Sequence, residues 1–473
     1  MKVQRLMAVC TLLLLMLTPG HVAGQTPVPA GDTDPIDFVF TSFPRQIVYL
    51  GVDPGANVYV TLLAYDTVVP AGLTPDYSCD VDGDGAFTPW FFRNDCGEKV
   101  TMAGPFVATM RVRAAGREPA SAALHMQARQ FEAAYVDVGQ QDWPALAVVA
   151  GRPAIAYRDA NAGLKFAINA NADGSGAWTD TVVDARSGIE CPCALAVVGG
   201  HPTIAYADAN QETLVVARNA RADGSGAWET WELGGEGAFA YPTLTTVDGK
   251  PAVSYYHGGA IDLLVNEAAD GSGSYRAEGG TSILNIGGGL AGPNATALVG
   301  DPPTLTALVA YDNDKAELVY KVQRRAPDTG WTTVRLGAKT RNANYPSLAM
   351  LNGRPGIAFR DYLTGRLKIA LATTADGQGE WTVQDQDTSL QPRKHLGQSL
   401  ALIDGRPAVA YTHDTQGVLF AYDSGRPNIG FWPSVTVGRE GVAGTGTPSL
   451  AQVAGRPAVV YADGVGIRFV RAR

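Results

Sequence analysis

The feature that most constrains this chain is a phrase of about nine residues that it writes again and again. "GRPAIAYRD" starts at Gly151, "GHPTIAYAD" at Gly200, "GKPAVSYYH" at Gly249, "GRPGIAFRD" at Gly353, "GRPAVAYTH" at Gly405 and "GRPAVVYAD" at Gly455. A looser copy, "PPTLTALVAYD", ends at Asp312. The aromatic position falls at Tyr157, Tyr206, Tyr255, Tyr311, Phe359, Tyr411 and Tyr461, with steps of 49, 49, 56, 48, 52 and 50 residues. Internal repetition at this period means a solenoid, a propeller or an array.

The interior of one unit decides among these. "YPSLAMLNG" is a short apolar run closed by Asn-Gly, "RPGIAFRD" a second, "GRLKIALATT" a third and "GEWTVQDQD" a fourth. Proline opens the second run, where its missing N–H costs least. Nothing in the unit keeps a period near 3.6, and β-branched and aromatic residues are frequent. Each unit therefore reads as a four-stranded antiparallel meander. Ile155 and Tyr157 make one face of the second strand apolar, and Ala154 and Ala156 the other. Such a sheet is sandwiched between neighbours. Seven of them arranged radially make a seven-bladed β-propeller. The last unit stops after its third strand, "VGIRFVRAR", and "FEAAYVDVG" at Phe131–Gly139 resembles a fourth strand. That strand is expected to complete the last blade and close the ring, leaving no open edge.

The turn before the fourth strand also recurs: "NADGSGAW" ends at Trp178, "RADGSGAW" at Trp228, "AADGSGSY" at Tyr275 and "TADGQGEW" at Trp381. It resembles the Asp-box turn of sialidase-like propellers, with Asp173 and Trp178 at the family's spacing and the glycines flanking their usual places. The resemblance implies a structural role, Asp tying the turn's backbone N–H groups and Trp packing between blades.

Residues 37–128 do not carry the repeat. Short strands such as "NVYVTLLAYD" and "FVATMRVRAAG" alternate with Gly, Pro and Asp clusters, the pattern of a small β-sandwich. "YSCDVDGDGAF" together with the final strand pair resembles the PKD domain, an immunoglobulin-like module of exported proteins, with Cys79 where that family has tryptophan. Cys79 and Cys96 are expected to pair over the substituted position. Asp80, Asp82, Asp84 and Gly85 match the opening of a calcium loop, but the twelfth position is Phe91 where an EF-hand needs glutamate. Two readings stay open for them, bound Ca2+ or the tight turn of the module. No cofactor is otherwise required. Cys191-Pro-Cys193 is read at the x-Pro-small position that opens a blade's first strand, like Trp143-Pro144-Ala145 and Tyr345-Pro346-Ser347. A local disulfide or two buried thiols suit it better than a metal, which would need more His or Cys nearby.

Lys2 and Arg5 precede the short apolar run "LMAVCTLLLLML", and "HVAG" offers small residues for cleavage. Residues 1–24 thus read as an export signal and 25–36 as a linker, ahead of the sandwich at 37–128 and the propeller at 129–473. The four cysteines after the signal suit a secreted or extracytoplasmic protein, with the periplasm or cell surface included. A net charge of −9 without a Lys/Arg block argues against nucleic acid as a partner. No later apolar run is long enough for a membrane span.

No Ser/His/Asp set, Gly-rich phosphate loop or His-Glu-x-x-His pattern is visible. Arg158 and Arg360 follow the second strands, where loops of one rim converge, and Arg393, Lys394 and His395 lie in a connection opening on that rim. Arg158, Asp159, Arg360, Asp361, Arg393 and His395 are therefore the candidate ligand-binding residues, with turn capping as the alternative for the aspartates and solvated surface charge for the arginines. The expected protein is an exported, non-catalytic binding or adhesion protein. Its propeller rim would hold an extracellular glycan or a protein; by architecture it is similar to seven-bladed lectins. The alternative is a sialidase-like glycosidase on the same rim.

Overall fold

The computed structural model describes residues 22–23, 36–53, 55–69, 72–233, 240–277, 284–285, 294–300, 305–323, 330–387, 397–425, 432–438 and 447–473. The expected signal and linker lie outside them except at 22–23 and 36. The chain divides into two compact units, Met1–Val48 with Tyr59–Ala128, and Tyr49–Val58 with Arg129–Arg473. All the regular structure beyond one short 3-10 turn is β-strand among the described residues.

In the first unit, Val22–Ala23, Asp37–Phe43, Val58–Val68 and Asp95–Val100 form one antiparallel sheet in that order. A second sheet pairs Asp76–Asp80 with Gly104–Arg113, and Gly104–Arg113 with residues 120–128. Alternation selects the buried face: Ala108, Met110 and Val112 are buried, while Val107, Arg111 and Arg113 point outward. Cys79 and Cys96 form the expected disulfide, which joins the two sheets.

The second unit is built of consecutive antiparallel sheets, numbered here I to VII. Sheet I holds Gln141–Val149, Arg152–Asp159, Gly163–Asn169 and Trp178–Asp184. Sheet II runs from Ile189–Val198 to Trp228–Leu233, sheet III from Ala240–Val247 to Tyr275–Ala277, and sheet IV from Asn294–Val299 to Trp331–Arg335. Sheet V runs from Ala343–Leu351 to Trp381–Asp387, and sheet VI from Gln398–Ile403 to Ser434–Thr436. Sheet VII holds Ser449–Val453, Arg456–Ala462 and Gly466–Ala472, and its fourth strand is residues 131–138, with Phe131 opposite Ala472 and Val138 opposite Gly466. Each sheet is the expected four-stranded meander; sheet III gains a two-residue strand, Leu284–Asn285.

The recurring phrase is the hairpin from first to second strand. Ala150-Gly151, Asn352-Gly353 and Asp404-Gly405 all have both φ values positive, from 46° to 79°. Such turns match the twist of the strands they join, and the second residue is glycine because it carries no Cβ penalty there. The two faces of each inner strand go to different neighbours. Ala154 and Ala156 pack with Ile204, Tyr206 and Val215 of sheet II. Ile155 and Tyr157 pack with Val460, Ile467 and Phe469 of sheet VII. First strands of consecutive sheets adjoin one another, and that of sheet VII adjoins that of sheet I.

The recurring outer turn is tied at a second point beyond the expected aspartate. Asn169, the last residue of the third strand and fully buried, makes four bonds to it. Its amide donates to the carbonyls of Gly174 and Gly176, and its oxygen accepts from the N–H groups of Asn171 and Gly176. Asn219 and Asn266 repeat this. Asp173, though exposed, accepts the Ser175 backbone N–H as expected, with the Ser175 hydroxyl and Arg471 besides, and Asp223, Asp270 and Asp376 accept the corresponding N–H in their turns. The asparagine's part has a geometric cause: a buried amide supplies donors and acceptors at once, as the turn's mixed N–H and C=O groups require, whereas a carboxylate can only accept. The tryptophans do pack between sheets, Trp178 edge-on to Phe469 of sheet VII and Trp228 to Phe166 of sheet I. Gly174 lets the turn come that close, since a Cβ there would stand 2.5 Å from the Phe469 ring.

A candidate ligand site at the inner strands

In a meander the start of the first strand, the end of the second, the start of the third and the end of the fourth lie on one rim. On that rim of the second unit the repeat aromatics link neighbours. Tyr157 donates to Asp137 of sheet VII at 2.8 Å, Tyr206 to Asp184 of sheet I at 2.5 Å, and Tyr411 to Asp387 of sheet V at 2.8 Å. Lys165 adds ion pairs to Asp137 and Asp180, and Arg186 to Asp184, Asp208 and Glu232. Burial pushes the Asp137 and Asp184 carboxyls up, and their hydrogen bonds, from Lys165 and Tyr157 or from Arg186 and Tyr206, outweigh it and hold both below the usual carboxylate range.

The residues singled out from the sequence are placed within this charge network. Arg158 makes a two-pronged pair with Asp142, at 2.8 and 2.5 Å. Asp159 accepts the N–H groups of Asn161 and Ala162 and the amide of Gln141. Arg360 is 2 % exposed and reaches Asp414 at 3.5 Å; burial lowers its pKa against the pull of Asp414. Asp361 accepts from Leu363, Thr364 and Lys368. Arg393 and His395 lie outside the described residues. In the first unit, one carboxylate oxygen from each of Asp80, Asp82 and Asp84 lies within 4.8 Å of the others. Both oxygens of Asp80 accept loop N–H groups, from Gly83 and Gly85. Burial, with these aspartates added, pushes Glu98 up.

A different set of residues converges further in. The first strands of all seven sheets line one cavity of about 200 Å³. Its aromatic residues are Trp143 from sheet I, Tyr241 from sheet III and Tyr345 from sheet V, each followed by proline. Each sits in a β-bulge, where it and its proline together oppose one residue of the second strand: Tyr157, Tyr255 or Phe359. Their φ values are 51°, 55° and 47°, left-handed for bulky residues in the pre-proline position that sterics push towards extended backbone. Such strain costs of order 1–3 kcal/mol per residue and persists only where neighbours over-determine it.

The neighbours are identifiable. The Asn294 amide, from sheet IV, donates to the Tyr241 carbonyl at 2.9 Å, and its oxygen accepts from Ser254. The Gln398 amide, from sheet VI, donates to the carbonyls of Tyr345 and Ala358. Each of these bulges is thus capped by an amide from the next sheet. Tyr241 and Tyr345 stand two sheets apart, yet their rings meet edge to face at 5.8 Å and their hydroxyls lie 3.4 Å apart. Hydroxyls also link the inner strands. Ser347 accepts from Leu400 N–H, Ser399 from Leu450, and Ser449 of sheet VII from Leu146 of sheet I at 3.1 Å.

Cys193 also lines the cavity and is disulfide-bonded; the side chain of Cys191 lies outside the described residues. The register corrects the expected alignment of this segment. Ala194 pairs with Ala205 as Ala145 pairs with Ala156, so Cys193, not Pro192, takes the place of Pro144. One extra residue in sheet II moves the cysteines along by one. Sequence reasoning noted the aromatic-proline pairs as strand starts and missed them as a site. The available signal was that three sheets put Trp or Tyr where sheets VI and VII have Gly397 and Thr447.

No family model matches this chain, and no curated protein matches it in sequence. Among solved structures it is similar to the SapL1 lectin in complex with α-methyl fucoside, at 14% identity and a TM-score of 0.42 over 64% of this chain and 98% of the lectin. It is also similar to a variant of the α-L-arabinofuranosidase Arb93a of Fusarium graminearum with an iminosugar inhibitor, at 11% identity and a TM-score of 0.42 over 60% and 93%. A third is the polysaccharide lyase Uly1, at 10% identity and a TM-score of 0.43 over 72% and 90%. The expectation of a chain without catalytic function is corrected here: two of these three proteins are enzymes by name, so a likeness in fold gives no ground for setting catalysis aside.

Proposed function

We propose that the second unit is a seven-bladed β-propeller, closed by residues 131–138, that engages an extracellular carbohydrate in the cavity between its inner strands. The closed-ring reading is supported by the contacts of sheet VII with sheet I: the shared core, Trp178 on Phe469, and the Ser449–Leu146 hydrogen bond. The ligand reading is carried by one observation. Three aromatic residues from non-adjacent sheets are held in costly left-handed bulges around one cavity, and two of the bulges are capped by dedicated amides. Strain kept at a convergence point marks function rather than folding. Aromatic faces take the C–H faces of a sugar ring, and the surrounding hydroxyls can donate to and accept from its hydroxyl groups.

The test is a glycan array read with the parent protein and with Tyr345→Ala. Specific binding that drops at least tenfold in the variant, with melting unchanged, supports the assignment; binding indifferent to Tyr345, or a blank array, sinks it. Assaying the bound glycans for new reducing ends or unsaturated products separates capture from cleavage.

A further inference from the structure

The cavity wall also selects among carbohydrates, and this step rests on the saccharide reading above. Among its described lining residues none carries a charge; the polar groups are hydroxyls and the amides of Asn294 and Gln398, and both amides serve bulge carbonyls. Three described cations of the same rim are engaged by carboxylates of the protein: Arg158 faces Asp142, Lys165 faces Asp137 and Asp180, and Arg360 faces Asp414. An anionic sugar placed in the cavity would give up its hydration shell with no cation from the described lining in exchange, whereas a neutral sugar exchanges water for hydroxyl partners of its own kind.

Size and surroundings narrow the ligand further. At about 200 Å³ the cavity is smaller than the roughly 300–1,000 Å³ that encloses drug-sized molecules, and has room for about one sugar ring. Because strands of every sheet contribute to the wall, a polymer has no lateral path through it. We infer that the cavity takes a single uncharged sugar residue at the end of a glycan, entering end-on, with Trp143, Tyr241 and Tyr345 against its apolar faces.

The experiment uses the full chain, with binding followed by calorimetry and tryptophan fluorescence. Three glycan sets are compared: glycans ending in a neutral hexose or deoxyhexose, the same glycans capped with sialic or uronic acid, and a length series sharing one neutral terminus. Tyr241→Ala and the milder Tyr241→Phe, both checked for parental melting, report whether binding occurs in the cavity. The expected result is binding of the neutral-ended set, about tenfold or greater weakening on acidic capping, and less than about threefold change along the length series. Acid-capped glycans that bind as well and lose that binding in Tyr241→Ala would overturn the neutral-end inference and leave the saccharide reading standing. No glycan bound by any set would overturn both.

Discussion

The outer turns and the inner bulges of the second unit recur at the same period and mean different things. At the outer turn, sheets I, II and III repeat one solution, with a buried Asn ending the third strand and Asp-Gly-Ser-Gly after it. At the inner position the occupants diverge: Trp143, Tyr241 and Tyr345 in strained bulges, against Gly397 and Thr447 elsewhere. Gly397 leaves no room for a larger residue, because a Cβ there would lie 1.9 Å from the Thr447 hydroxyl. Repetition follows from a contact that every sheet must make with its neighbour. Divergence at a repeated position, held at an energetic cost, is what a role beyond the repeated packing would leave.

Substitutions can break this contrast, and the largest effect belongs to the outer turn. Asn219→Ala removes a buried amide that serves two carbonyls and two N–H groups of a largely exposed turn and is expected to cost about 1–3 kcal/mol in chemical denaturation, with ligand affinity of the folded protein unchanged. A cost near zero would mean that the turn's backbone bonds, Asp223 and Trp228 hold it without the asparagine.

Acid should act next, through the rim. Asp137, Asp184 and Asp463 have carboxyls held below their unfolded range, by hydrogen bonds that outweigh burial. Their contribution is fully present above about pH 4, the unfolded carboxylate value, and is lost as pH falls through the lower folded values. A melting temperature that falls steeply below about pH 4 and is flat between about pH 5 and 7 is the expected profile. Asp184→Asn should flatten part of the fall, and an unchanged acid limb would remove that residue from the account.

At the inner position the stability effect is smaller and the functional one is not. Tyr345→Gly relieves a left-handed φ while loosening the unfolded chain, so stability should stay within about 1 kcal/mol of the parent. Binding should be lost. A large destabilisation would instead make the Tyr241–Tyr345 contact part of the packing. The smallest effect is expected of Asp223→Ala, an exposed carboxylate that accepts only from Ser225 among its described hydrogen bonds, for which no measurable melting shift is anticipated.

Much of the architecture is legible in the sequence because it depends on near neighbours. The Gly of each phrase marks a hairpin whose two residues need positive φ, and the alternation at 154–157 assigns each side chain to one face or the other. The Cys79–Cys96 disulfide was expected from the even cysteine count and from the two residues lying 17 apart in one small segment. The turn's second anchor was harder to read than its aspartate, since Asn169, Asn219 and Asn266 recur in three sheets while sheet V has Ala372 there and lets Thr374 serve the Gly379 N–H. The cysteine pair was misaligned by one residue because a bulge leaves no mark in a list of residue types.

What the sequence determined by itself is the repeating unit: strand lengths, hairpin turns and two-faced apolar strands are set by residues within one fifty-residue period. Only the tertiary structure decided the site. Tyr241 and Tyr345 lie 104 residues apart and touch because sheets III and V bring their first strands to a common centre. The left-handed turn of each ring towards that centre is imposed by a bulge and, at both tyrosines, by an amide from yet another sheet. Convergence of this kind is a property of how many strands are packed together, and no local pattern in the chain encodes it.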